Sequence, residues 1–141
     1  MPQAAVNMPA TLRVLRIIHG ALMVAMLLYV YLTEFLLRLA TQPVSAELYD
    51  GIAIVALVSA VAAFATRARM LGPAFAKLRA NPDDPDGHKR WRVGTLISDS
   101  LALSIVLYGV VLRFLGGTSA QAAPFYAGGF ALMILWWPRR P

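Results

Sequence analysis

Apolar positions run almost unbroken through four stretches of this chain: Ile17–Thr33, Gly51–Thr66, Val93–Leu112 (interrupted only by Asp99) and roughly Ser119–Trp137. About 20 such residues in a helix cross a ~30 Å hydrocarbon layer, and slightly shorter runs suffice when flanking side chains reach to the interface. The pattern predicts an all-α polytopic membrane protein with four transmembrane helices at about 11–39, 46–70, 85–115 and 119–137. Local signals agree with these limits. Pro9 suits a first helical turn and Pro43 stops the first helix. Ser45 caps the second helix, and Asp84 caps the third with Pro85 as its first residue. Gly116-Gly117 ends the third helix and Pro138 lies just past the fourth. No linker divides the chain, so residues 1–141 read as one domain.

Charge then orients these helices. Seven of the thirteen Lys and Arg residues fall in the loop 67–92, and Arg13, Arg16, Arg139 and Arg140 lie at the same face. Only Arg38 and Arg113 lie at the other. Eleven against two is the positive-inside bias, so both termini and the basic loop are expected in the cytoplasm of an inner (plasma) membrane multi-pass protein. The composition, 59% hydrophobic and 14% charged with mean hydropathy +0.63, leaves too little polar surface for a soluble domain of this size. The net charge of +6 is therefore a topology signal, with the lipid bilayer and its anionic head groups at the basic loop as partners and no nucleic acid. The N-terminal apolar run exceeds a signal-peptide core, and Glu34 and Arg38 separate it from Val44-Ser45-Ala46, so it is read as a retained helix. Cysteine is absent, which excludes disulfides and thiolate metal sites. Trp91, Trp136 and Trp137 are expected at the cytoplasmic interface and Tyr49 and Tyr126 at the outer one.

Two further patterns bear on assembly. A shift of 79 residues sets Arg13-Val14 on Arg92-Val93, Leu28-Tyr29 on Leu107-Tyr108 and Phe35-Leu36 on Phe114-Leu115. With a two-residue adjustment Tyr49 and Gly51 fall on Tyr126 and Gly128. The four helices thus read as two tandem hairpins. Ala56, Ser59, Ala60 and Ala63 place small residues at helical spacing, a helix-packing face that lets backbones approach closely in lipid. Helix two is accordingly expected to be the most buried helix, or the contact between subunits of a homo-oligomer or membrane complex. Leu71–Arg79 reads as a short amphipathic helix on the membrane surface. The acids of Asn81–Gly87 lack the spacing of a calcium loop and read as turn and cap residues.

Leu101-Ala102-Leu103-Ser104-Ile105-Val106-Leu107-Tyr108-Gly109-Val110-Val111 resembles the ion-binding helix of the proteolipid (c) subunits of rotary ATPases. The resemblance covers about eleven residues. It implies helical hairpins that assemble into rings and a mid-membrane carboxylate that binds a proton or sodium ion. Tyr108 and Gly109 stand at that family's Tyr-Gly positions, but the carboxylate position is Leu103, which binds no ion.

Asp99, one turn before Leu103 and about 9 Å inside from Val93, is the one acid well inside a span. Such a residue is costly unless paired, and is a functional candidate for that reason. His19 falls at similar depth by the repeat, and Arg16 is one turn nearer the cytoplasm. Arg16, His19 and Asp99 form the candidate intramembrane polar cluster. Glu34 and Arg38 read as an i,i+4 ion pair, with Arg113 as another partner for Glu34. A lone His19 does not suit haem, which needs a second axial ligand, and no metal, cofactor or nucleophile–base spacing is present. The chain is therefore expected to be a non-enzymatic structural or assembly subunit, the alternative being a proton- or ion-conducting element that uses Asp99. A reporter fused after Pro141 should be active only in its cytoplasmic form; periplasmic activity there would overturn the orientation.

Overall fold

Three of the helices begin where a side chain satisfies the first free N–H groups,. In the computed structural model, which describes residues 8–36 and 42–139, Ser45 Oγ accepts from Leu48 N at 3.3 Å and Asp84 Oδ2 from Gly87 N at 2.6 Å. Thr118 and Gln121 satisfy each other's backbone in a reciprocal capping box,. The resulting elements are α1 (Met8–Tyr31), α2 (Ala46–Thr66), α3 (Gly72–Ala80), α4 (Pro85–Phe114) and α5 (Ser119–Leu135). α1 continues into a π-helical turn, Leu32–Leu36, and α2 runs through a second one, Arg67–Leu71, into α3. Gly116, at φ 98°, ends the turn after α4 in a conformation that favours glycine,. Met8–Leu36, Ala46–Ala80 and Pro85–Phe114 are long and apolar enough to cross a membrane, whereas α5 has 17 residues.

The bundle is organised around α4. Half of the most apolar window of α4 is buried, against 17% for the corresponding windows of α1 and α2. α1, α2 and α5 each pack on α4, with α1 parallel to it and the other two antiparallel. The expectation that helix two is the most buried is therefore corrected. One face of α2, carrying Ala56, Ser59 and Ala63, lies on α4, while Ile54, Leu57, Val58 and Val61 point outward. Ala60 sits at the border of that face and is only partly buried.

α4 and α5 come close enough at two glycines for one helix's backbone to meet the other. A Cβ on Gly109 would lie 2.7 Å from Tyr126 Cε1 and 3.1 Å from the Ala122 carbonyl oxygen. One on Gly129 would run into Val106 Cγ2 and come within 2.9 Å of the Ala102 carbonyl oxygen. Glycine is required at both positions because the facing backbone cannot retreat. The core here is Met26, Ala63, Ala102, Val106, Tyr126 and Met133, drawn from all four long helices.

α3 does not lie on a membrane surface with its apolar side toward lipid. Leu71, Ala74 and Leu78 are buried against Leu12, Leu15 and Trp91, so the apolar face is covered by the chain's own α1 and α4. Trp91 is likewise no interfacial anchor: it is 1% exposed and meets Phe75 edge-on at 6.2 Å. Its indole fills the space between α1, α3 and α4,. Of the other expected anchors, Trp136 and Tyr126 also point inward, and Trp137 is the one left substantially exposed.

Ala63 is fully buried against α4, so Ala63→Leu should destabilise the fold by about 1–3 kcal/mol through overpacking. Ala60→Leu, at the border, should change it far less. Chemical denaturation in detergent reads both; an A63L protein as stable as wild type would contradict the α2–α4 contact.

Candidate functional site

Two polar side-chain pairs join α1 and the turn that continues it to α4, one near each end of the bundle. At the basic end His19 Nδ1 lies 2.9 Å from Asp99 Oδ2, and His19 Nε2 donates to the Met133 carbonyl of α5 at 3.0 Å. Both side chains are sealed, at 0% and 1% exposure. Trp137 meets the imidazole edge-on at 5.2 Å. At the opposite end Arg113 Nε donates to Glu34 Oε1 at 2.8 Å. Tyr126 OH donates to the same oxygen at 3.1 Å, and Ser119 Oγ to Glu34 Oε2 at 2.5 Å. The Arg113 guanidinium also donates to the Gly117 carbonyl. Glu34 thus gathers the end of α1, the end of α4 and the start of α5 onto one carboxylate.

The register of the two pairs follows from helix geometry. His19 and Glu34 are 15 residues apart, about 22 Å along a helix, while Asp99 and Arg113 are 14 apart. The π turn at Leu32–Leu36, which holds Glu34, accommodates the extra residue,. The partners are separated by 80 and 79 residues in sequence, so positions related by the 79-residue shift lie at equal depth in parallel helices.

Of the expected cluster, the structure brings together His19 and Asp99 but not Arg16. The Arg16 side chain is at the exposed surface, and its Nε donates to the Pro138 carbonyl at 3.3 Å. It holds the segment after α5, whose Trp137 covers the dyad. The basic residue that acts on Asp99 is Arg67, at the start of the second π turn, which lies within Coulombic reach of it. The Arg67 guanidinium stacks over Trp136 at 4.8 Å, an arrangement that favours a cation on an indole face. Arg67 Nη1 and Asp99 Oδ1 are both buried without a hydrogen-bond partner among the described residues. Arg67 had counted only as a topology charge. Its position one residue past an apolar span was the available signal, and nothing local revealed that it turns inward.

Glu34 pairs across helices with Arg113; its other expected partner, Arg38, lies outside the described residues. His88 lies in the first turn of α4, where its Nε2 donates to the Pro82 carbonyl at 2.8 Å. In the turn before it Asn81 Oδ1 accepts from Asp83 N and Asp84 caps α4, while Asp86 pairs with Lys77 at the surface. On the motif that resembles the proteolipid helix, Tyr108 OH is 3.2 Å from Ser59 Oγ, joining α4 to α2, and Gly109 admits Tyr126. Leu103 lies against the core cluster. No family model matches the chain, and comparison with curated proteins and with solved structures finds no match either.

The chemistry of the His19–Asp99 pair is that of a clamp between helices. Removing one partner strands the other in a low-dielectric interior, at a cost of about 3–5 kcal/mol. His19→Ala and Asp99→Asn should each lower stability by an amount of that order, and the double variant by less than their sum. Arg16→Ala should combine additively with Asp99→Asn, since the two residues do not meet. Denaturation midpoints of the wild type and the five variants check both statements.

Proposed function

We propose that this chain is a non-enzymatic structural subunit of a membrane assembly, self-associating in the plane of an inner (plasma) membrane. Both termini and the 67–92 segment face the cytoplasm in this reading, and the basic end rests against anionic lipid head groups. The observation that carries it is the contrast between a closed interior and an open flank. The His19–Asp99 and Glu34–Arg113 pairs hold helices together, which makes a rigid unit. Between α2 and α5, by contrast, lies an apolar groove of about 480 Å³ floored by Ile105. Small residues, among them Ala53, Ala60, Gly128 and Ala131, alternate in its walls with larger apolar ones such as Leu57 and Phe125. Small residues permit a neighbouring helix to come close, where packing rather than the hydrophobic effect drives association.

The occupant we assign to the groove is a second copy, inserting the outward ridge of Ile54, Val58 and Val61 on its own α2. Ridge and groove are different surfaces of one chain, so the contact is heterologous and closes into a ring when the rotation allows. The resemblance of the Leu101–Val111 motif to ring-forming proteolipids is consistent with this.

A second reading, a proton-conducting element that uses Asp99, draws on the unpartnered Asp99 Oδ1. The two separate in one preparation. Wild-type protein in lipid nanodiscs should run as an oligomer by mass, and Ala60→Leu or Gly128→Leu should convert it to monomer without unfolding it. A wild-type monomer at all protein-to-lipid ratios would overturn the assembly reading, and proton flux through reconstituted vesicles, lost in Asp99→Asn, would establish the other.

A further inference from the structure

The hydrogen bonds around His19 determine where its protons are. The Met133 carbonyl has only lone pairs to offer, so His19 Nε2 must carry a hydrogen,. A second proton must then lie between His19 Nδ1 and Asp99 Oδ2, because two lone pairs at 2.9 Å would repel. It belongs either to an imidazolium facing a carboxylate or to a carboxylic acid facing a neutral imidazole. Both forms are neutral overall, and the wider surroundings choose between them.

The charged groups that face Asp99 are His19 from α1 and Arg67 from the end of α2. α5 contributes Met133 O and Trp137, neither of which titrates. Asp99 Oδ1 is a buried acceptor without a partner, and Arg67 Nη1 is a buried donor without one. Two orphaned groups of opposite sense at the junction of packed helices are the setting that holds an internal water. Thr95, buried one turn toward the basic end of α4, offers a further hydroxyl on the same face,.

We propose that Arg67 Nη1 and Asp99 Oδ1 enclose a bound water, so that Arg67, the water, Asp99 and His19 form one relay from the basic end of the bundle to the Met133 carbonyl, with His19 held as the imidazolium. The water accepts from Nη1 and donates to Oδ1, which satisfies both. The carboxylate then accepts from the water on one oxygen and from the imidazolium on the other. The assignment stands apart from the assembly reading, since a subunit contact at the α2–α5 groove neither requires nor disturbs it.

The test uses full-length protein in bilayers. Nitrogen NMR of labelled histidine, with His19 assigned through its coupling to the Met133 carbonyl carbon, should show both ring nitrogens protonated at neutral pH. Water-edited spectra should carry magnetisation from water to that imidazole. The infrared spectrum should lack the carboxylic-acid band of a protonated Asp99. In Arg67→Met the shared proton should move to the carboxylate, so the acid band appears, absent again in the Arg67→Met/Asp99→Asn double variant, and His19 loses one ring proton. Arg67→Lys, which keeps a donor and a charge, should retain the wild-type pattern. A singly protonated His19 in the wild type overturns the assignment whether or not any variant folds. So does an Arg67→Met protein with unchanged spectra.

Discussion

A charge inside an apolar bundle must have a partner, and α4 carries two of them, Asp99 and Arg113. Each lies away from bulk solvent, so each dictates what must stand opposite,. α1 supplies both answers, His19 and Glu34. Because the two pairs are nearly equally spaced on their helices, they hold α1 parallel to α4 and leave no freedom to slide by a turn. A one-turn slip would strand four ionisable groups at once. The remaining helices fill in around this clamp, α5 through the glycine contacts at Gly109 and Gly129 and α2 through its alanine and serine face.

Both π turns of the described chain hold a charged residue that reaches toward α4. Glu34 sits in one and Arg67 begins the other. A π turn rotates the residues that follow it relative to a regular helix and frees a backbone group, and such turns recur at functional positions. Here they bring side chains into register with partners on a helix whose own path is regular. The segment after α5 completes the basic end: Trp136 lies under Arg67, Trp137 against His19, and Pro138 is tethered by Arg16. Arg16, His19 and Asp99 are thus linked through that segment rather than by direct contact among all three.

Several features were legible along the chain because they depend on short range. The helix limits at Ser45, Asp84-Pro85 and Gly116 follow from capping and from the backbone preferences of proline and glycine, which need no tertiary contact. The depth match of His19 and Asp99 was readable because parallel helices of equal rise keep repeat-related positions level. The Glu34–Arg113 pair was readable only as one alternative, since an i,i+4 partner in the same helix looks equally good until the helices are docked. Arg67 was not legible as a site residue, because a basic residue at the end of a span has the same local pattern whether it faces head groups or turns inward.

By itself the sequence determined that this is a helical chain with membrane-crossing apolar segments, where its helices start and stop, and which ionisable residues lie at which depth. These are consequences of composition, caps and a rise of about 1.5 Å per residue. Only the tertiary structure decided which helix is central and which faces meet. An apolar helix in lipid is hydrophobic all round, so no polar stripe marks its outward side, and the small residues of α2 read as well for the centre as for the flank. Packing geometry made that choice, through glycines that admit a neighbouring backbone on α4 and α5 and through charges that must find each other across a helix interface.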